Sequence, residues 1–294
     1  MRNNERVIVT ACDENYAWVC LNLLKSLGTW SRLTYVIDLG MTVESRRKIS
    51  SRCAGVIDVP ESAWASQGVA VGYAGAMTIR PQLPQLFPHG YIMWIDADCW
   101  VQNRSAIQTY FDLARKHDGN FILVAEWDPE YPHCVAAFDV RQEQLRDLHT
   151  QLWDENVAEE LHGKAPLNSG VFAASRSSPV WAAFDDRVKM QYTENAKLTD
   201  SVRLAHMAEQ QSLNLVLHES QRFTALTSDF NWVSHFGPLV RRGFFVETPN
   251  LGRRPHIVHL TVLGTFETKY RENFLVYESR RNRLIRFLRK RFRL

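Results

Sequence analysis

The sequence predicts an α/β protein built on a mostly parallel, Rossmann-like sheet flanked by helices. Three observations predict it. Short apolar segments rich in Val and Ile alternate with helix-period segments through the first half of the chain. No Gly/Ser-rich linker interrupts them, so one compact domain is expected over 1–266, followed by a tail over 267–294. An acidic pair directly follows one of the apolar segments, the edge at which open α/β sheets bind ligands. With 294 residues, 45% of them hydrophobic, the chain can bury a sizeable core without staples. That excludes disordered and collagen-like architectures, and no solenoid-length period is present.

The elements follow in order. Val7-Ile8-Val9-Thr10-Ala11 reads as a buried strand. Residues 15–28 read as a helix, with Ala17, Cys20, Leu21, Leu24 and Leu27 on one face and Gly28 as its stop. Strands are expected at 35–37 and 56–59, with a polar helix at 42–52 between them. Another helix is expected at 75–86, then a strand at 91–95 ending in Asp96-Ala97-Asp98. A helix at 105–117 and a strand at 121–125 continue the alternation. In the second half, helices are expected at 142–161, 179–191 and 201–217. Asn168-Ser169-Gly170 reads as a turn feeding an apolar strand, since these residue types dominate turns. Residues 229–232 read as a loop and 256–260 as a short strand.

Charge is divided along the chain. Residues 280–294 hold eight basic side chains and no acidic one; setting those eight aside from the 35 basic residues leaves 27 against 32 acidic. The body is therefore mildly acidic and has no basic stripe, which argues against a nucleic-acid partner. On a wheel of about 100° per residue, Leu284, Ile285, Leu288 and Phe292 share one sector, opposite Arg283, Arg286, Arg289, Lys290 and Arg293. That is the pattern of a basic amphipathic helix lying on an anionic membrane surface. A solvated helix packed on the body and a nucleic-acid tail are the alternatives. Five cysteines with no CxxC spacing argue against a disulfide framework and fit a reducing compartment. Neither a leader-like N-terminus nor a bilayer-spanning apolar run is visible, so the expected location is cytoplasmic, peripheral on the inner membrane face.

The acidic pair carries the chemistry. In extended backbone, residues two apart point to one side, so Asp96 and Asp98 can face one hard cation, Mn²⁺ or Mg²⁺. Such an ion can neutralise a departing diphosphate. The first strand-to-helix loop, Cys12-Asp13-Glu14-Asn15-Tyr16, contains no glycine. That excludes a dinucleotide-binding turn or a P-loop and leaves side chains such as Asp13, Asn15 and Tyr16 to bind the ligand. Glu126 and Asp128, flanking Trp127 after a strand, are candidates for orienting ligand hydroxyls or are solvated loop acids. Phe230 and Trp232 form either an aromatic ligand platform or part of the core.

Four segments in order resemble the retaining glycosyltransferases of family 8, which have the GT-A fold, and among them bacterial lipooligosaccharide galactosyl- and glucosyltransferases. They are residues 11–17, the stretch from Arg80 through Pro84 to Asp96-Ala97-Asp98, Asn168-Ser169-Gly170-Val171-Phe172, and Glu209-Gln210-Gln211-Ser212-Leu213-Asn214. The resemblance implies a UDP-sugar donor, with Asp13 and Asn15 on uracil and ribose and Arg80 on the donor. Asp96, Asp98 and His259 would be metal ligands. Asn168 and Glu209 would contact the donor sugar, and Gln210 would sit beside the anomeric carbon. It also implies a glycan or glycolipid acceptor and retention of configuration by front-face substitution. Three departures stand out: Glu209 and Gln211 each replace a family Asp, and the closing His-x-x-Gly-x-x-Lys-Pro-Trp stretch is degraded. Gly264 follows His259 by five residues and Lys269 by ten, and Pro-Trp is missing. His256 is the alternative to His259. Two other readings compete. One is a nucleotidyltransferase that makes the sugar nucleotide, although the glycine-rich basic loop usual there is absent. The other is a catalytically degenerate membrane-bound scaffold.

Overall fold

A computed structural model describes residues 5–59, 74–195, 202–242 and 245–260. The main sheet contains β1 (Arg6–Cys12), β2 (Thr34–Asp38), β3 (Gly55–Asp58), β4 (Tyr91–Ile95), β6 (Phe121–Ala125), β7 (Leu167–Ser175) and β8 (Phe223–Leu226). Their spatial order is β3-β2-β1-β4-β7-β6-β8. All run parallel except β7, which is antiparallel to both its neighbours, β4 and β6. A smaller sheet joins β5 (Cys99–Val101), β12 (Ile257–His259) and β9 (Trp232–Val233), with β12 in the middle. A hairpin pairs β10 (Val240–Arg242) with β11 (Phe245–Glu247).

Helices cover both faces of the main sheet. They are α1 (Ala17–Leu27), α2 (Val43–Ser50), α3 (Ala74–Ile79), α4 (Leu83–Leu86), α5 (Ser105–Lys116), α6 (Pro132–Val135), α7 (Phe138–Leu152), α8 (Glu155–Leu161), α9 (Val180–Glu194) and α10 (Val202–Ser220). Two apolar layers result. Val7, Val9, Ile92, Trp94 and Phe172 pack on one face with Phe184 and Val216. Ile8, Met93, Ile95 and Val171 pack on the other with Leu23, Leu24, Tyr110 and Phe111. Successive residues of one strand point to opposite faces, so a strand buried on both sides must be apolar throughout.

Four expectations need correction. The helix expected at 75–86 is broken into α3, a 3₁₀ turn (Arg80–Gln82) and α4, because Pro81 and Pro84 lack the amide hydrogen that an unbroken helix needs. The helix expected at 142–161 ends at Leu152, and Asp154 caps a new one by accepting from the Val157 amide at 2.9 Å. Asn168-Ser169-Gly170 is no turn but the buried start of β7. There β6 pairs Val124 with Asn168 and Leu123 with Phe172, leaving Ser169, Gly170 and Val171 as a bulge. The loop expected at 229–232 is a 3₁₀ turn (Ser228–Phe230) leading into β9, and Trp232 is fully buried in the core. The basic tail, Gly264 and Lys269 lie outside the described residues.

Candidate active site

β4 ends at the carboxyl edge of the sheet, and Asp96-Ala97-Asp98 turns the chain into β5. The turn is fixed by backbone bonds: Asp96 N donates to Gly170 O at 2.8 Å and Cys99 N to Asp96 O at 3.0 Å. β12 then lies antiparallel to β5, with His259 opposite Cys99, and Leu260 N donates to Asp98 O at 3.1 Å. This register brings His259 to the acidic turn across about 160 residues of sequence. Its Nε2 lies 3.3 Å from Asp98 Oδ1 and 3.5 Å from Asp96 Oδ2. His256, the alternative, points elsewhere: its Nδ1 meets Asn103 Nδ2 at 3.1 Å and its ring packs edge-on against Phe230.

The three groups fit a divalent cation. Adjacent ligands of an octahedral ion with bonds of about 2.1 Å lie about 3.0 Å apart, close to the separations seen. Two carboxylates with one imidazole suit Mn²⁺ or Mg²⁺. Asp98, Cys99 and His259 also place ligand atoms within 4.8 Å of one another, with the Cys99 thiol held well above its ordinary pKa by burial and by the nearby carboxylates. Burial pulls the His259 pKa down, but Asp98 and Asp96 outweigh it and the net shift is upward. Gly170 makes room for this group. A Cβ there would lie 2.2 Å from His259 Cε1 and 2.8 Å from Asp96 Oδ2.

A second network adjoins the first. The buried Arg80 guanidinium donates to Asp96 Oδ1 at 2.5 Å, Glu209 Oε2 at 2.5 Å and Ser169 Oγ at 3.0 Å. It lies 5.0 Å from the Trp94 ring centre, and Trp94 Nε1 donates to Asp96 Oδ1 at 2.7 Å. Burial alone would lower the Arg80 pKa, but Asp96 and Glu209 raise it, so the cation is permanent. Burial pushes the Glu209 carboxyl up to about 7, against the pull of Arg80 and Ser169. Its Oε2 takes both Arg80 and Ser169 Oγ, whereas its buried Oε1 has no hydrogen-bond partner among the described residues.

Gln210 is held at both ends. Its Oε1 accepts from Ser169 N at 3.3 Å, and its Nε2 donates to Glu126 Oε1 at 3.1 Å. Asn168 Nδ2 donates to the same Glu126 oxygen at 2.7 Å, and Asn168 Oδ1 accepts from Asn231 Nδ2 at 2.8 Å. Asn214, one turn beyond Gln210 on α10, pins the start of β7: its side chain accepts from Leu167 N and donates to Leu167 O, both at 2.7 Å.

These networks border a cavity of about 400 Å³. Asp13 and Tyr16 line it from the loop after β1, and Ala97 from the acidic turn. Arg80, Asp96, Asp98 and His259 form one wall; Asn168, Ser169, Gly170, Glu209 and Gln210 form another. Asn15 is exposed and does not line it. Glu14 binds the chain rather than a ligand, accepting from Thr42 N at 2.8 Å and Ser45 Oγ at 2.9 Å. Glu126 and Asp128 separate: Glu126 faces the cavity, whereas Asp128 accepts from Arg253 at 2.5 Å and holds the 245–255 segment in place. Gln211 points away from the cavity and pairs with buried His149 at 2.9 Å, which gives this departure from the family pattern a packing partner. Arg141 and Gln144 of α7 line the cavity but drew no notice in the sequence; with Leu148 their i, i+3, i+7 spacing marks one helix face and was the available signal.

No family model matches the sequence, and no curated protein matches it. Solved structures do. An active-site variant of LgtC is 17% identical over 87% of this chain and 88% of that chain, with a TM-score of 0.52. Mouse xyloside xylosyltransferase 1, in its apo form, is 13% identical over 87% of this chain and 97% of that chain, with a TM-score of 0.50. The galactosyltransferase LgtC in complex with donor and acceptor sugar analogs is 16% identical, with 87% of each chain covered and a TM-score of 0.48. At such identities the likeness concerns architecture, and what it shows is that this chain has the GT-A glycosyltransferase fold, resembling LgtC.

Proposed function

We propose that the protein is a metal-dependent glycosyltransferase that moves a hexose, galactose or glucose, from a UDP-sugar to a glycan acceptor with retention of anomeric configuration. One observation carries the reading: Asp96, Asp98 and His259 converge on one point at the sheet's carboxyl edge, beside the clamped Arg80 and inside the cavity. A GT-A fold, and a neighbour named for xylosyl transfer, support it.

Those three side chains would hold Mn²⁺ or Mg²⁺, which would supply charge neutralisation for a diphosphate leaving group. The chain's own residues do the rest. Arg80 is fixed by three hydrogen bonds, so its charge is aimed before any donor arrives, and no reorganisation is needed on binding. The free Oε1 of Glu209 is an acceptor for a donor hydroxyl, and Asn168 and Gln210 present oriented amides to the same wall. Asp13 and Tyr16 lie where the base and ribose would rest, at the β1 end of the cavity.

Calorimetric titration of UDP tests this. Binding is expected in Mn²⁺, lost in EDTA and weakened by Asp98→Ala and His259→Ala. No UDP binding in Mn²⁺ would overturn it. The acceptor in this reading is a lipid-linked glycan at the inner membrane face, reached through the basic tail at 267–294; no described helix is long and apolar enough to cross a membrane. Removal of 280–294 should abolish flotation with anionic liposomes, and unchanged flotation would refute the membrane role.

A further inference from the structure

The cavity has two guanidinium groups at opposite ends, and they are paired unequally. Arg80, at the end proposed to hold the metal, gives hydrogen bonds to two carboxylates. Arg141, on α7 at the other end, makes a longer ion pair, to Glu126 Oε2 at 3.8 Å, beyond hydrogen-bond reach, and its buried Nε has no partner among the described residues. The guanidinium lies 5.6 Å from the ring centre of Phe236, which also lines the cavity. His235 and Gln144 line the same end, and Arg141 helps to depress the pKa of His133 and His149, after burial in each case.

The order of contacts places Arg141 with respect to the donor. Asp96 holds Arg80, Arg80 holds Ser169 and Glu209, Ser169 meets Gln210, Gln210 meets Glu126, and Glu126 faces Arg141. A donor whose diphosphate lies at the Asp96 end leaves Arg141 to the second substrate. Glu126 turns its Oε1 to Asn168 and Gln210, and its Oε2 stands 3.8 Å from Arg141, an ion pair without a hydrogen bond. A guanidinium with open donors, a flat aromatic support and a neighbouring amide suits a forked anion on a sugar.

We propose that this end of the cavity is an anion subsite, and that the acceptor is a sugar bearing a carboxylate or phosphate, held by Arg141 with His235 and Gln144. The acceptor assignment rests on the glycosyltransferase reading above; the anion subsite itself does not.

The test is a binding comparison in the full-length protein with UDP and Mn²⁺ present, using three probes of one ring type. Methyl β-glucoside is neutral, methyl β-glucuronide carries a carboxylate, and methyl β-glucoside 6-phosphate carries a phosphate. Wild type should bind at least one charged probe about tenfold or more tighter than the neutral one, and whichever is tighter identifies the anion. Arg141→Gln should bring the probes to parity, and Arg141→Lys should restore part of the preference, since it keeps the charge but loses the fork. Equal affinities in wild type, or no binding of any probe, would overturn the proposal without any variant being made. So would a preference that survives Arg141→Gln. A preference for UDP-glucuronate over UDP-glucose that Arg141→Gln removes, with no preference among the glycosides, would move the anion to the donor and refute the acceptor assignment. UDP binding in Mn²⁺ with no glycoside preference sinks this inference alone. Charge-dependent glycoside binding without UDP binding sinks the donor reading and leaves the subsite standing.

Discussion

At the scale of single residues, Gly170 and Glu209 are the most exacting positions. A methyl group on Gly170 would meet the His259 ring and Asp96 Oδ2 at distances no carbon tolerates, and the His259 ring, buried beside β12, cannot swing away cheaply. Gly170→Ala should therefore leave a folded protein whose Mn²⁺ affinity falls at least tenfold, measured by titration calorimetry; unchanged affinity would show that the ligands do not meet there. Glu209 gives a pH signature. Its carboxyl is raised to about 7 in the fold from an ordinary value of 4.5. Between those values the folded state holds a proton that the unfolded chain has lost. Its contribution is thus present in acid and disappears as pH rises through 7. Glu209→Gln removes the titration. Wild-type stability relative to this variant should fall between pH 5 and pH 8, by up to ~3 kcal/mol, read as a widening gap in Tm. A gap independent of pH would mean that Arg80 keeps the carboxylate ionised throughout. Asp96 and Asp98 were legible in sequence because an acidic pair after a buried strand marks the sheet's ligand edge, although the pair lies in a turn and not in the extended backbone expected. Arg141 was not, because a lone arginine on a polar helix looks like any solvated one until the cavity beside it is known.

Among the elements, β7 decides the site. It delivers Asn168, Ser169 and Gly170 to the cavity wall, and its first residues pair with β6 ahead of the bulge and are held to α10 by Asn214 as well. Asn214 makes three bonds at 2.7 Å, two of them buried and the third to Gln210 O, and truncation removes the side-chain partners of the Leu167 amide and carbonyl. Asn214→Ala should cost about 2–4 kcal/mol, measured by urea unfolding, and should loosen UDP binding through the displaced bulge. A loss below about 0.5 kcal/mol would show that other groups carry the strand start. The turn-like composition of 168–170 misled for a physical reason. Residues that favour turns also favour bulges, since both depart from a regular ladder, and composition alone does not say which neighbour strand encloses them. The breaks at Pro81 and Pro84 were readable in principle, because proline interrupts helix bonding in any context. That break is also what sets Arg80 at a bend, buried against Trp94 and within reach of Asp96.

For the whole molecule, the alternation of apolar and helix-period segments sufficed to foresee a parallel sheet. It could not reveal the reversed direction of β7, since a strand buried on both faces looks the same read either way. Nor could it show that the chain returns after α10 to set β12 against β5. That return has an energetic consequence. The groups proposed as metal ligands come from residues 96–98 and 259, so a cation bound by them would tie the last described strand to the middle of the chain and would be held only in the folded state. Any such ligand stabilises the fold in proportion to the logarithm of one plus the ratio of its free concentration to its dissociation constant. With UDP in saturating Mn²⁺ at about a hundredfold excess over its dissociation constant, the gain from UDP is about 2.7 kcal/mol. For a domain of this size that corresponds to a Tm rise of about 4–5 °C. Mn²⁺ with UDP should produce that rise in wild type, and EDTA should reverse it. His259→Ala should respond little, because the ligand that closes the long loop is gone. Asn15→Ala should respond as wild type does, because the exposed Asn15 lies outside the cavity lining. An equal rise in His259→Ala would place the cation away from β12. A flat response in Asn15→Ala would return that residue to the donor site despite its exposure.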